Sequence, residues 1–145
     1  MENTISDEQE KLRVLITDDS RLLRKKLREE LERLDCEVVE AVNGKEAITF
    51  VLEQELDGVI LDIVMPVVGG IEALQFIREV APAVPVVMLS SMNTPQKLMQ
   101  CLKMGAIDFI NKPYSKEQIA QVVARFKKFK AKRLEKAKAA EEIQA

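Results

Sequence analysis

Short apolar runs alternate with longer amphipathic stretches between Leu12 and Phe129. Residues 13–17, 37–41, 58–61, 85–89 and 107–111 are runs of four or five residues dominated by Val, Ile and Leu, the pattern of buried strands. The segments between them carry helical period. Ser20 can cap a helix in which Leu23, Leu27, Leu31 and Leu34 form one stripe, with Arg24, Lys25, Arg28 and Glu32 left to solvent. Asn43 and Gly44 turn the chain into a second helix with Ala47, Ile48, Val51 and Leu52 facing inward. Gly69-Gly70 precede a third over residues 71–80, ended by Pro82 and Pro85. Thr94 and Pro95 open a fourth that runs to Met104 before Gly105, and Ser115 caps a fifth with Ile119, Val122, Val123, Phe126 and Phe129 on its apolar side. Five strands alternating with five helices predict an α/β fold around a five-stranded parallel sheet.

Composition bounds this picture. At 145 residues and net charge -2, the chain has room for one domain with short extensions, and no global basic field draws it to nucleic acid or anionic lipid. Residues 1–11 read as an acidic tail, 12–129 as the domain, and 130–145 as a basic helical extension of the fifth helix. Residues 125–138 hold eight Lys or Arg against one Glu. Arg133 and Lys136 stand where a heptad would need apolar residues, so a coiled coil is not predicted; a solvated, fraying helix is, with a partner-protein patch as the alternative. Nucleic acid is not the expected partner, since no base-reading motif accompanies the charge. The longest apolar runs fall short of a membrane span and the start has no signal-peptide pattern, so a cytoplasmic location is expected. Cys36 and Cys101 are read as reduced thiols. The absence of histidine excludes Ser-His-Asp and Cys-His hydrolysis, and any phosphohistidine, on these residues.

The chemistry sits where the apolar runs end. Asp18 and Asp19 follow the first run, Asp62 the third, Ser90 the fourth and Lys112 the fifth. In a parallel sheet all converge at the C-terminal edge, where open α/β sheets bind ligands. Carboxylates ~4 Å apart repel by ~4 kcal/mol at an effective dielectric of ~20, so the trio calls for a cation or for protons. An oxygen-only donor set suits Mg2+, with Mn2+ also admissible. Asp62, after the central run, is the candidate nucleophile toward phosphorus, Asp18 and Asp19 the candidate metal holders, and Lys112 and Ser90 the groups that meet phosphoryl oxygens.

Thr-Asp-Asp-Ser at 17–20, Leu-Asp-Ile-Val-Met-Pro at 61–66 with Gly70, Ser90-Ser91, and Gly-Ala-Ile-Asp-Phe-Ile-Asn-Lys-Pro at 105–113 together resemble the receiver domain of two-component response regulators. The resemblance covers residues 12–129. It implies a doubly wound, flavodoxin-like (βα)5 fold, Asp62 as phosphoacceptor, and the backbone carbonyl of Val64 as a further metal ligand beside Asp18, Asp19 and Asp62. It also implies Ser90 and Phe109 as switch residues and a cis Lys112–Pro113 bond. By the same resemblance, a histidine kinase or histidine phosphotransfer protein supplies the phosphoryl group. A downstream protein docks on the face of the fourth helix, fifth strand and fifth helix, or a second copy pairs there on phosphorylation.

Two departures stand out. Gly69 replaces the usual Asp or Asn, removing a side-chain cap from the loop after Asp62. Val64 and Met92, two residues beyond Asp62 and Ser90, stand at positions that by the resemblance flank the water attacking the aspartyl phosphate; neither can orient it by hydrogen bonding, so slow loss of the phosphoryl group is expected. The leading expectation is a stand-alone signalling switch, in chemotaxis or a phosphorelay, that works only on its own aspartyl phosphate and is otherwise not an enzyme. The alternative is the regulatory part of a longer regulator with a DNA-binding or catalytic output domain. A dehalogenase-like phosphatase would need Asp-x-Asp and a cap domain, and a flavin carrier would need a phosphate-cradling loop where two aspartates stand.

Overall fold

The computed structural model describes residues 11–91 and 95–144. The expected acidic tail, the Thr94 cap and Met92 therefore fall outside the described residues, apart from Lys11. Strands β1 (Arg13–Thr17), β2 (Glu37–Ala41), β3 (Gly58–Asp62), β4 (Val86–Ser90) and β5 (Asp108–Asn111) alternate with helices α1 (Arg21–Arg33), α2 (Gly44–Glu53), α3 (Gly70–Val80), α4 (Pro95–Lys103) and α5 (Lys116–Gln144). All strand pairs are parallel, in the order β2-β1-β3-β4-β5. The order reverses between β1 and β3, which opens a crevice at their C-terminal ends.

Period-two alternation divides the core between the two faces of the sheet. Val14, Ile16, Ile60, Val87 and Leu89 pack under α1 and α5 with Leu27, Leu31, Ile119 and Phe126. Leu15, Val59, Leu61, Val86 and Met88 face α2, α3 and α4, where Ala47, Leu74, Ile77 and Leu98 meet them. All five residues of β3 and all five of β4 are buried, as befits the central strands of a sheet covered on both sides.

Local signals set the helix starts. The Ser20 hydroxyl accepts from the Leu23 amide and the Asn43 side chain from Glu46, while Ser115 and Gln118 cap each other reciprocally. Gly69 precedes α3 with no side-chain cap bond, as its missing side chain requires.

Several expectations are corrected. Strands β3 and β4 end one residue later, which makes Asp62 and Ser90 strand residues rather than loop residues. Leu52 is 60% exposed, and Phe50 packs against the core in its place, beside Ile48 and Val51 as expected. Phe129 is 38% exposed rather than buried on the apolar side of α5. Arg24 is not a solvated residue: its guanidinium donates to the Asp18 carbonyl at 2.8 Å and to Glu40 at 3.1 Å. The fifth helix continues past Phe129 unbroken to Gln144, 29 residues or ~43 Å in all. Part of its basic run is not solvated either. Lys130 and Arg133 reach back to Asp57 at the start of β3, at 3.2 and 2.8 Å. No helix among the described residues is long and apolar enough to cross a membrane.

Candidate functional site

The crevice between β1 and β3 holds the acidic trio. Thr17 pairs in register with Leu61, so Asp18, Asp19 and Asp62 leave neighbouring strands at the same height. Oxygens from the three carboxylates all lie within 4.8 Å of one another. Asp18 and Asp62 are buried, at 2% and 4% exposure, and Asp19 is open to solvent.

Lys112 bridges the two buried acids. Its Nζ donates to Asp18 Oδ2 at 2.7 Å and to Asp62 Oδ2 at 3.0 Å. The ammonium is placed by the backbone: Lys112 N–H donates to the Ser90 carbonyl at 2.8 Å, and the Lys112–Pro113 peptide is cis. The remaining oxygens of the buried acids are held locally, Asp18 Oδ1 by the Ser20 amide at 2.9 Å and Asp62 Oδ1 by the Val64 amide at 3.3 Å.

One ammonium against three carboxylates leaves the site two charges short of neutrality. Burial pushes the Asp62 carboxyl above its ordinary value; the bond and charge of Lys112 offset this only in part, and Asp18 adds to the rise. Burial works against the Lys112 charge, but its hydrogen bonds to Asp18 and Asp62 outweigh that and raise it. A hard divalent cation with oxygen ligands fits this donor set, which offers carboxylate oxygens and no nitrogen or sulfur.

Ser90 is buried at 3% exposure at the end of β4, beside Asn111 of β5. Phe109, opposite Met88, is half-buried against the cluster that contains Leu98, Cys101 and Ala106. Val64 is 54% exposed beside Asp62. The loop after Asp62 is drawn tight from both sides. Gly70 N–H donates to the Ile63 carbonyl at 2.9 Å and Gly44 N–H to the Val68 carbonyl at 3.0 Å, and a Cβ on either glycine would overlap backbone of the loop. Val67, at the loop tip, has φ +69° and is 74% exposed, a strained setting for a β-branched residue.

Sequence reasoning missed three of these positions. Arg24 clamps the backbone of Asp18 and is itself oriented by Glu40, whose carboxyl is also met by Arg28; burial opposes the Glu40 charge but the two arginines prevail and lower its pKa. An acidic residue inside the apolar run 37–41 was the available signal. Asp57, five residues before Asp62, could have been noticed as an acid before a buried strand. The strain at Val67 had no signal in residue type alone.

The family model described as the response regulator receiver domain matches residues 14–124. A chemotaxis protein CheY of Halobacterium salinarum is 38% identical over 112 residues, which span 77% of this chain and 92% of that protein. A protein-glutamate methylesterase/protein-glutamine glutaminase of Caldanaerobacter subterraneus is 44% identical over 107 residues, 71% of this chain but 29% of that protein. The chain thus spans about three-tenths of the length of the methylesterase relatives it matches. Among solved structures, CheY of Borrelia burgdorferi in a complex with CheX, BeF3 and Mg2+ superposes with TM-score 0.74 at 33% identity, covering 77% of this chain and 86% of that one.

Proposed function

Because this chain belongs to the response regulator receiver domain family, we propose that it is a phosphorylation-operated signalling switch with Asp62 as the phosphoacceptor. The observation that carries the reading is the pairing of a buried, under-compensated Asp62 with Asp18, Asp19 and Lys112 at the switch point of the sheet.

Asp18, Asp19, Asp62 and the carbonyl of Val64 would hold Mg2+, or Mn2+ in its place. Bound there, the metal supplies positive charge to the phosphoryl oxygens. The rest is work for the chain's own residues. An Asp62 oxygen forms a new bond to phosphorus as the bond between phosphorus and the donor imidazole breaks, and the imidazole leaves with a proton. Lys112 exchanges a carboxylate partner for a phosphoryl oxygen without leaving the crevice. The donor histidine comes from a kinase or phosphotransfer protein, since this sequence has none.

The phosphoryl group adds a charge of about -1.5 to -2 and new acceptor oxygens. Ser90 moves to donate to one of them, and Phe109 turns into the space released, reshaping the surface of α4, β5 and α5. That is a shift between two populated states, and its output is affinity for a downstream protein or for a second copy. With apolar residues, Val64 and Met92, at the sequence positions two beyond Asp62 and Ser90, the phosphoprotein loses its group over minutes or longer. A half-life of seconds in Mg2+ would contradict this.

Stand-alone action in the cytoplasm, in chemotaxis or a phosphorelay, accords with relatives such as the Halobacterium CheY, nearly all of whose length the chain spans. A second reading has a specific observation behind it. The unbroken α5 resembles a connector, and the methylesterase relatives carry this region as a minor part of a longer enzyme. Intact-mass measurement after incubation with acetyl phosphate tests the common core of both. One adduct of a single phosphoryl group, dependent on Mg2+ and absent from Asp62→Asn, is expected. An adduct that persists in chelator or in the variant would overturn the assignment.

A further inference from the structure

The extension of α5 builds a second concavity, at the end of the sheet opposite the carboxylate crevice. Leu12, Leu34, Ala131 and Leu134 form its walls, Lys11 and Lys127 stand at its rim, and it holds about 600 Å³. Small-molecule sites fall in the range of ~300–1,000 Å³ and combine apolar walls with a few placed polar groups.

Three observations distinguish it from a surface crease. Its helical wall is fixed: Lys130 donates to the Lys11 carbonyl and to Asp57, each at 3.2 Å, and Arg133 donates to Asp57 at 2.8 Å. Its apolar lining is placed against the local trend. Between residues 130 and 142 Leu134 is the one large apolar side chain, it is 55% exposed, and it lies on this cavity. Its charge is unbalanced. Asp35 also lines it and meets Lys11 at 3.6 Å, and Lys130 is committed to Asp57, but Lys127 makes no ion pair among the described residues.

We propose that this cavity binds a small amphiphilic anion, with an aliphatic or aromatic body on Leu12, Leu34 and Leu134 and an acidic head against Lys127. The site is independent of Asp62 and owes its existence to the length of α5. Hydrocarbon on Leu134 leaves water, and the head supplies a counter-charge to Lys127, which makes no ion pair among the described residues. A ligand there would brace α1, β1 and α5 together.

The test is an amide NMR titration of the full chain at constant ionic strength with octanoate, and separately with octanol as the uncharged control. Saturable shifts confined to residues 11–12, 34–35 and 127–134 are expected with octanoate, with octanol roughly tenfold weaker. Leu134→Asp should abolish the octanoate shifts and Lys127→Gln should weaken binding several-fold. Both positions are exposed, and circular dichroism checks that the variants keep the fold. Equal binding of the two probes, shifts scattered over the surface, absence of saturation, or unchanged binding in both variants would each overturn the proposal.

Discussion

A buried aspartate stands at each end of strand β3, Asp57 just before it and Asp62 as its last residue, and the two are opposites. Asp57 opens the approach to the strand at 7% exposure and Asp62 closes it at 4%. Asp57 has donors to spare: the Arg13 amide at 2.8 Å, Lys130 at 3.2 Å and Arg133 at 2.8 Å. Burial opposes its charge, but these donors outweigh burial and hold its pKa below the ordinary value. Asp62 shares its one ammonium with Asp18, stands beside Asp19, and has its pKa raised. An over-compensated buried acid is a fastener. An under-compensated one is a site that gains from a cation or from losing its charge to a new bond.

The largest expected effect falls on the fastener. Asp57→Asn leaves Lys130 and Arg133 without their acid, and urea denaturation should show a loss of about 2–4 kcal/mol. The variant should still accept phosphoryl from acetyl phosphate; loss of the adduct would break the division of labour between the two ends. Next comes Mg2+. At tenfold its dissociation constant, a ligand of the native state alone adds about 1.4 kcal/mol, so the melting temperature should rise in wild type and in Asp57→Asn but not in Asp62→Asn.

The pH dependence sharpens the contrast through its sign. Asp62 binds its proton more tightly folded than unfolded, so its ionised form costs stability at neutral pH, and the cost fades below the ordinary carboxylate range. Without metal, Asp62→Asn should therefore be more stable than wild type at pH 7, and that advantage should fade as pH falls through the carboxylate range. Asp57 runs the other way. Its stabilisation is present above the ordinary value and is lost only as pH falls through its lowered folded pKa, so the deficit of Asp57→Asn should narrow in acid. Melting curves from pH 7 to pH 3 report both slopes. The smallest effect is at the loop tip, where Val67→Gly should add about 1 kcal/mol by relieving the positive φ. A neutral or negative value there would mean that the side chain stabilises the loop in a way its exposure does not suggest.

The two ends of β3 were unequally legible in the sequence. Asp62 could be read because its partners sit at the ends of other apolar runs, and parallel strands bring such ends to one edge whatever the details of packing. The five strands and five helices were legible for a similar reason: their periods and caps are local properties. The Asp57 fastener was not. It depends on where α5 crosses the sheet, and with Lys130 and Arg133 lying 73 and 76 residues away, no spacing rule could link them. Leu52 and Phe129 misled because a helical stripe predicts a face but not how far the sheet extends beneath it. Arg24 misled because a charged residue opposite an apolar stripe usually meets water, whereas here it meets the backbone of Asp18 and the carboxyl of Glu40.

The account turns on which carboxylate takes the phosphoryl group, and borohydride trapping answers it most directly. Reduction of the acyl phosphate formed with acetyl phosphate and Mg2+ converts the modified aspartate to homoserine, which peptide sequencing by mass spectrometry can place. Homoserine at position 62 alone is the predicted result. Homoserine at Asp18, Asp19 or Asp57, with Asp62 unmodified, would contradict it.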